Sequence, residues 1–256
     1  MGIYQGQAVA IKRLICQDKN ARNEIKIIKT LLKLKHKNLL KTLGICLDNR
    51  KTNIVYSTIV MEYCRNGNLR TQIDAAKRIT KFFFIRWIKE IADAMLYLHD
   101  CNIVHRDLKP EKLVIYKLFK KFAIELEASA AMSYCGTFAY MAPEIIAGQL
   151  CSTKVDVWSF GVLFWEILTQ SRPYAGVISG RIFMATDKNT FYLRPPQECP
   201  EQIAAMINEC LLNDPHDRPS FSDEVNYIDD TQWALLRLEQ SNLSDTSQDM
   251  TTLSAS

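Results

Sequence analysis

The chain has 256 residues, 48% of them hydrophobic and 23% charged, with a formal net charge of +4. That balance excludes disorder over most of the length, and the size suits one bilobal domain or two small ones. The charge is mild, and the Lys-rich stretches Lys26 to Lys41 and Lys117 to Lys121 are interleaved with apolar residues, so solvated amphipathic faces are expected there and no nucleic-acid site.

In chain order, Val9-Ala10-Ile11 is a short run suited to a strand, with Lys12 at its end, and Ile25, Ile28, Leu31 and Leu32 recur at helical spacing. Leu39 to Leu47 and Asn53 to Tyr63 read as two further strands. After Gly67 the pattern turns helical, and Trp87, Ile91, Met95 and Leu98 form one buried stripe. Asp156 to Leu168 is apolar all round, which predicts a helix in the middle of a core. A turn or two of helix is expected over Trp233 to Leu238, and the Ser/Thr-rich, aromatic-free tail from Ser241 reads as disordered. Phe82 to Ile85 is closed off by Lys81 and Arg86, no segment is long enough to span a bilayer, and no secretory signal is evident. Eight cysteines lie scattered without a Cys-x-x-Cys pair, the pattern of reduced thiols in a cytoplasmic protein.

Six motifs follow one another along the chain: Val9-Ala10-Ile11-Lys12, Ile59-Val60-Met61-Glu62-Tyr63, His105-Arg106-Asp107-Leu108-Lys109-Pro110-Glu111, Gly136-Thr137 leading to Ala142-Pro143-Glu144, Asp156-Val157-Trp158-Ser159-Phe160-Gly161, and Asp217-Arg218-Pro219. In this order they resemble the eukaryotic protein kinases, specifically the tyrosine-kinase-like Ser/Thr branch that holds the mixed-lineage and receptor-interacting kinases and their pseudokinase relatives. The resemblance implies an α+β, bilobal kinase fold over residues 1–228, with a truncated β-rich N-lobe (1–62) and a larger helical C-lobe (63–228). Residues 229–256 would add the short helix and tail.

On that resemblance Asp107 would accept the proton of the substrate hydroxyl, and Lys109 would neutralise the transferred phosphoryl group in the Ser/Thr-kinase manner. Lys12 would reach the α- and β-phosphates of ATP, anchored by a helix carboxylate. Glu24 has the right chemistry for that anchor, but the family's spacing leads to Ile27. Ala10 and Leu113 would sandwich the adenine, Met61 would be the gatekeeper, and Glu62 to Cys64 would offer the base backbone hydrogen bonds. Glu144 would pair with Arg218, and Asp156 would fix the catalytic-loop backbone.

Three positions depart from the pattern. Lys112 stands where the family has an Asn ligand for Mg²⁺, and a cation repels the metal and has no lone pair to give it. Either Lys112 is a drifted, solvent-facing side chain, or its ammonium replaces part of the metal's charge against the phosphates. The Asp-Phe-Gly triplet becomes Glu125-Leu126-Glu127, so the second metal position falls on Glu125, or on Ile124 in a register shifted by one. Of the Gly-rich loop only Gly2-Ile3-Tyr4-Gln5-Gly6 is present, either because the chain starts here or because a longer chain continues upstream. A lobe lacking its first strand would expose a sheet edge to a partner. Weak ATP binding or none is therefore expected, with the case for Mg²⁺ poor at both positions. The resulting reading is a signalling pseudokinase that works by binding protein partners. An active ATP-dependent Ser/Thr kinase and a fragment without function of its own are the alternatives.

Overall fold

The computed structural model describes residues 1–17, 30, 32–48, 54–75, 79–116, 121–124, 138–177 and 193–230. β1 (Gly2–Tyr4), β2 (Gln7–Gln17), β3 (Thr42–Asp48) and β4 (Ile54–Glu62) form an antiparallel sheet in the order β1-β2-β4-β3. The β1–β2 turn needs a left-handed backbone, supplied by Gln5 (φ 50°) and Gly6 (φ 75°). Ala10 faces Met61 and Lys12 faces Ile59 across the β2–β4 ladder, so these four side chains share one face of the sheet. Lys12 is in mid-strand rather than at a strand end, because β2 runs on to Gln17. The run from Leu39 also behaves differently from its sequence pattern: the strand starts only at Thr42, since Leu39 is buried against the helical core and the neighbouring Asn38 side chain donates to the Glu90 carbonyl at 2.7 Å. The helix expected around Ile25 and Ile28 and the segment from Trp233 onward lie outside the described residues.

The chain beyond β4 carries the helices: α1 (Leu69–Asp74), α2 (Lys81–Asp100), α3 (Pro143–Ile146), α4 (Lys154–Thr169), α5 (Glu201–Cys210) and α6 (221–230), with a two-stranded hairpin of β5 (Leu113–Tyr116) and β6 (Lys121–Ile124). α1 starts where it does because Asn68 and Thr71 cap each other's backbone N–H. α2 buries Trp87, Ile91, Met95 and Leu98 as its period requires. α4 is surrounded by core, and Gly161 is what lets α5 approach it: a Cβ there would stand 2.6 Å from that of Cys210.

The same corner holds a buried acid with no cationic partner among the described residues. Glu224 of α6 is 2% exposed, accepts from the Cys210 thiol at 3.2 Å, and leaves its other oxygen unpartnered among the described residues. Burial pushes its carboxyl up to about 7, against the thiol hydrogen bond and with help from the charges of Glu209 and Asp223. A carboxyl whose folded value is raised binds its proton more tightly when native, so the fold is favoured most at acid pH. Stability falls as pH rises from about 4.5 to about 7. Glu224→Gln is therefore expected to raise the unfolding free energy by up to about 3 kcal/mol at pH 8 and far less at pH 4. Urea titrations at the two pH values check this, and an equal effect at both would contradict it.

Candidate active site

The catalytic-loop backbone is held from below by α4. Asp156 is completely buried, and its carboxylate accepts from the N–H of His105 and of Arg106, both at 2.8 Å, and faces His99 Nε2 at 2.9 Å. Those bonds hold Arg106 in the left-handed region (φ 64°), which a long side chain enters only when its surroundings compel it. His105 turns its Nδ1 to accept from the Asp107 N–H at 3.2 Å, and Leu108 is locked into the core at 0% exposure. The loop thus presents Asp107 upward from a fixed base.

Pro110–Lys112 then forms one 3-10 turn, closed by the Lys112 N–H donating to the Lys109 carbonyl at 2.9 Å. Lys109 caps the turn in extended conformation and Lys112 ends it, and the side chains of both turn toward one carboxylate. Both reach Asp107: Lys109 Nζ lies 2.7 Å from Oδ1 and Lys112 Nζ lies 3.8 Å from Oδ2. The Lys112 side chain is only 13% exposed, so it does not face solvent.

This donor set does not fit the Mg²⁺ that the catalytic-loop signature implies. Position 112 brings a charge of the wrong sign, and both Asp107 oxygens already face ammonium groups. Among the described residues no group of three or more His, Cys, Asp or Glu side chains could hold a metal ion. Glu125 and its alternative Ile124 bear on the second metal position; Glu125 lies outside the described residues, and only the strand backbone is described at Ile124. Glu24 and Ile27, the two anchors considered for Lys12, also lie outside them.

Around the expected nucleotide cleft, Ala10 packs with Met61 and Ile59. Glu62 is committed to Lys41, to whose carbonyl its N–H donates at 3.0 Å while its Oε1 accepts from the Lys41 N–H at 2.8 Å. Cys64 beside it is half-buried, and burial together with the Glu62 charge pushes its thiol up to about 11, so it stays protonated at neutral pH. Leu113 belongs to the C-lobe core at 0% exposure and has no surface to offer a ligand. Val114 occupies the opposite face of β5 and is partly exposed, and it takes over as the candidate for that contact.

A buried polar cluster below the loop has no counterpart among the expectations from sequence. Arg70 of α1 donates to Glu166 Oε1 at 2.6 Å, to the Tyr140 hydroxyl at 2.8 Å and to Glu111 Oε1 at 2.8 Å, and the Tyr140 hydroxyl donates to Glu166 Oε2 at 2.5 Å. Burial raises both the Glu166 carboxyl and the Tyr140 phenol, the Glu166 charge adding to the latter. The cluster ties α1, the catalytic loop, the segment before α3 and α4 together. The one signal of it in the sequence was Glu166, an acid deep in the otherwise apolar second half of α4.

Residues 2–228 match the family model described as protein tyrosine and serine/threonine kinase. The mitogen-activated protein kinase kinase kinase dlk-1 of Caenorhabditis briggsae is 38% identical over 229 residues, covering 86% of this chain and 25% of that protein. Mitogen-activated protein kinase kinase kinase 13-B of Xenopus laevis and mitogen-activated protein kinase kinase kinase 13 of Homo sapiens are each 37% identical over 236 residues, covering 90% of this chain and 23% of theirs. The chain spans about a quarter of the length of these curated relatives.

Proposed function

Because the chain belongs to the protein tyrosine and serine/threonine kinase family, we propose that it is a pseudokinase: a kinase-fold domain that holds nucleotide weakly, transfers phosphate poorly, and signals from the cytoplasm by binding protein partners. The observation that carries this reading is the Lys112 ammonium beside Asp107, standing where a metal ligand belongs. Phosphoryl transfer depends on positioning and on charge stabilisation, with little covalent chemistry for the protein to add. A metal position without its donor leaves the phosphates misaligned. Ala10, Met61, Val114 and the Glu62 to Cys64 connector would form the adenine slot, with Lys12 toward the phosphates. No helix among the described residues is long and apolar enough to cross a membrane.

A second reading, an active Ser/Thr kinase acting on a protein kinase as the relatives' names state for them, is favoured by the intact Asp107–Lys109 pair and by identity of 37–38% to those relatives. The purified chain is expected to incorporate no label from γ-labelled ATP into Ser/Thr substrates above the level of Asp107→Ala, with Mg²⁺ or Mn²⁺. Incorporation that Asp107→Ala abolishes would establish the second reading instead.

A further inference from the structure

Building on the nucleotide-binding part of that proposal, we infer that ATP binding by this cleft is independent of divalent metal, with the Lys112 ammonium supplying positive charge against the phosphates. Two observations converge on it. The 3-10 turn aims Lys112 inward beside Lys109, and the side chain is 13% exposed, so the charge is fixed in the loop rather than sampling solvent. Both Asp107 oxygens face ammonium groups, at 2.7 and 3.8 Å, so the carboxylate would have to give up a cation before it could take a metal.

Lysine binds phosphate as a point charge with three donors and needs no coordination geometry. It can therefore serve where an ion that demands octahedral oxygen ligands cannot. The consequence is an inversion of sign. In a cleft with carboxylate ligands, Mg²⁺ bridges protein and phosphate and tightens binding. Where Lys112 stands at the metal position instead, Mg²⁺ on the nucleotide cancels the negative charge that attracts the ammonium and adds repulsion against Lys112 and Lys109. Free ATP should bind at least as tightly as its magnesium complex, and adenosine, which carries no phosphate, should be indifferent to both the metal and Lys112.

The test is calorimetric titration of the full 256-residue chain with ATP and with adenosine, in EDTA and in Mg²⁺, for the unaltered protein, Lys112→Ala and Lys112→Asn. The unaltered protein should bind ATP in EDTA as tightly as in Mg²⁺ or more so. Lys112→Ala should weaken ATP binding in EDTA by about tenfold or more, the loss of one charge-assisted contact, while adenosine affinity, which also reports on folding, stays unchanged. Lys112→Asn should make ATP binding tighten when Mg²⁺ is added. Tenfold tightening of ATP by Mg²⁺ in the unaltered protein, or unchanged ATP affinity in Lys112→Ala, overturns the inference and leaves the nucleotide site standing. Absence of binding by both ATP and adenosine in both buffers overturns the nucleotide-binding proposal itself.

Discussion

Arg218→Leu is expected to lower the unfolding free energy by roughly 3 to 5 kcal/mol, the usual cost of leaving a buried charge without its partner. Arg218 is 1% exposed, and its guanidinium makes a two-pronged pair with Glu144, NH1 to Oε1 at 2.6 Å and NH2 to Oε2 at 2.8 Å. The same group donates to the carbonyls of Leu212, Asn213 and Lys154 and lies 5.0 Å above the Trp158 ring. Every donor of the fork is used, which is why Lys would not substitute. Leucine returns some apolar packing but strands the Glu144 carboxylate, itself 5% exposed, and leaves three carbonyls short of a donor. Urea denaturation measures the loss. Combining Arg218→Leu with Glu144→Leu should recover a good part of it, since replacing both members of a buried pair costs far less than removing one. A single-variant cost below about 1 kcal/mol, as for an exposed pair, would mean that the pair does not hold the structure together.

That pair could be anticipated because both partners sit in motifs whose order the sequence displays, and the same is true of Asp156. The stripe Trp87, Ile91, Met95 and Leu98 was legible for a different reason: period alone phases a helix, whatever it packs against. Strand limits were less so. Leu39 has the composition of a strand residue, and only a contact with α2, distant in sequence, draws it into the helical core. Leu113-Val114-Ile115 is apolar throughout, so no alternation in the sequence says which side faces the core. The structure assigns Leu113 and Ile115 to it and turns Val114 away.

The candidate site shows the same division. Substitution of Asn by Lys at position 112 is plain in the sequence, but whether the ammonium points to solvent or to Asp107 depends on the 3-10 turn and on which rotamer the neighbouring carboxylate favours. The Arg70 cluster joins residues 41, 70 and 96 positions apart. No local pattern can encode such contacts, although a lone Glu166 in an apolar helix implies that some cation must come to meet it. The cluster also bears on function. Through Arg70 it holds Glu111, two residues beyond Lys109, so the turn that carries Lys112 is clamped at its middle as well as at its base.

The base of that clamp supplies the other large effect. Asp156→Ala is expected to cost roughly 3 to 5 kcal/mol, because it leaves the His105 and Arg106 N–H groups without an acceptor, at about 1–3 kcal/mol each, and removes the partner of His99. The cost should be local as well as global. Arg106 keeps its left-handed backbone only while Asp156 binds the N–H groups of both His105 and Arg106, so the alanine variant should let the loop relax toward ordinary dihedrals. Asp156→Asn makes the argument quantitative, since its amide offers one acceptor oxygen where the carboxylate offers two, and an intermediate loss is expected. Urea denaturation reads the global term, and amide hydrogen exchange at His105 and Arg106 reads the local one. If exchange at those two amides accelerates no more than at core positions of α2, the loop geometry does not depend on Asp156, and the orientation of Asp107, Lys109 and Lys112 must be set from within the loop itself.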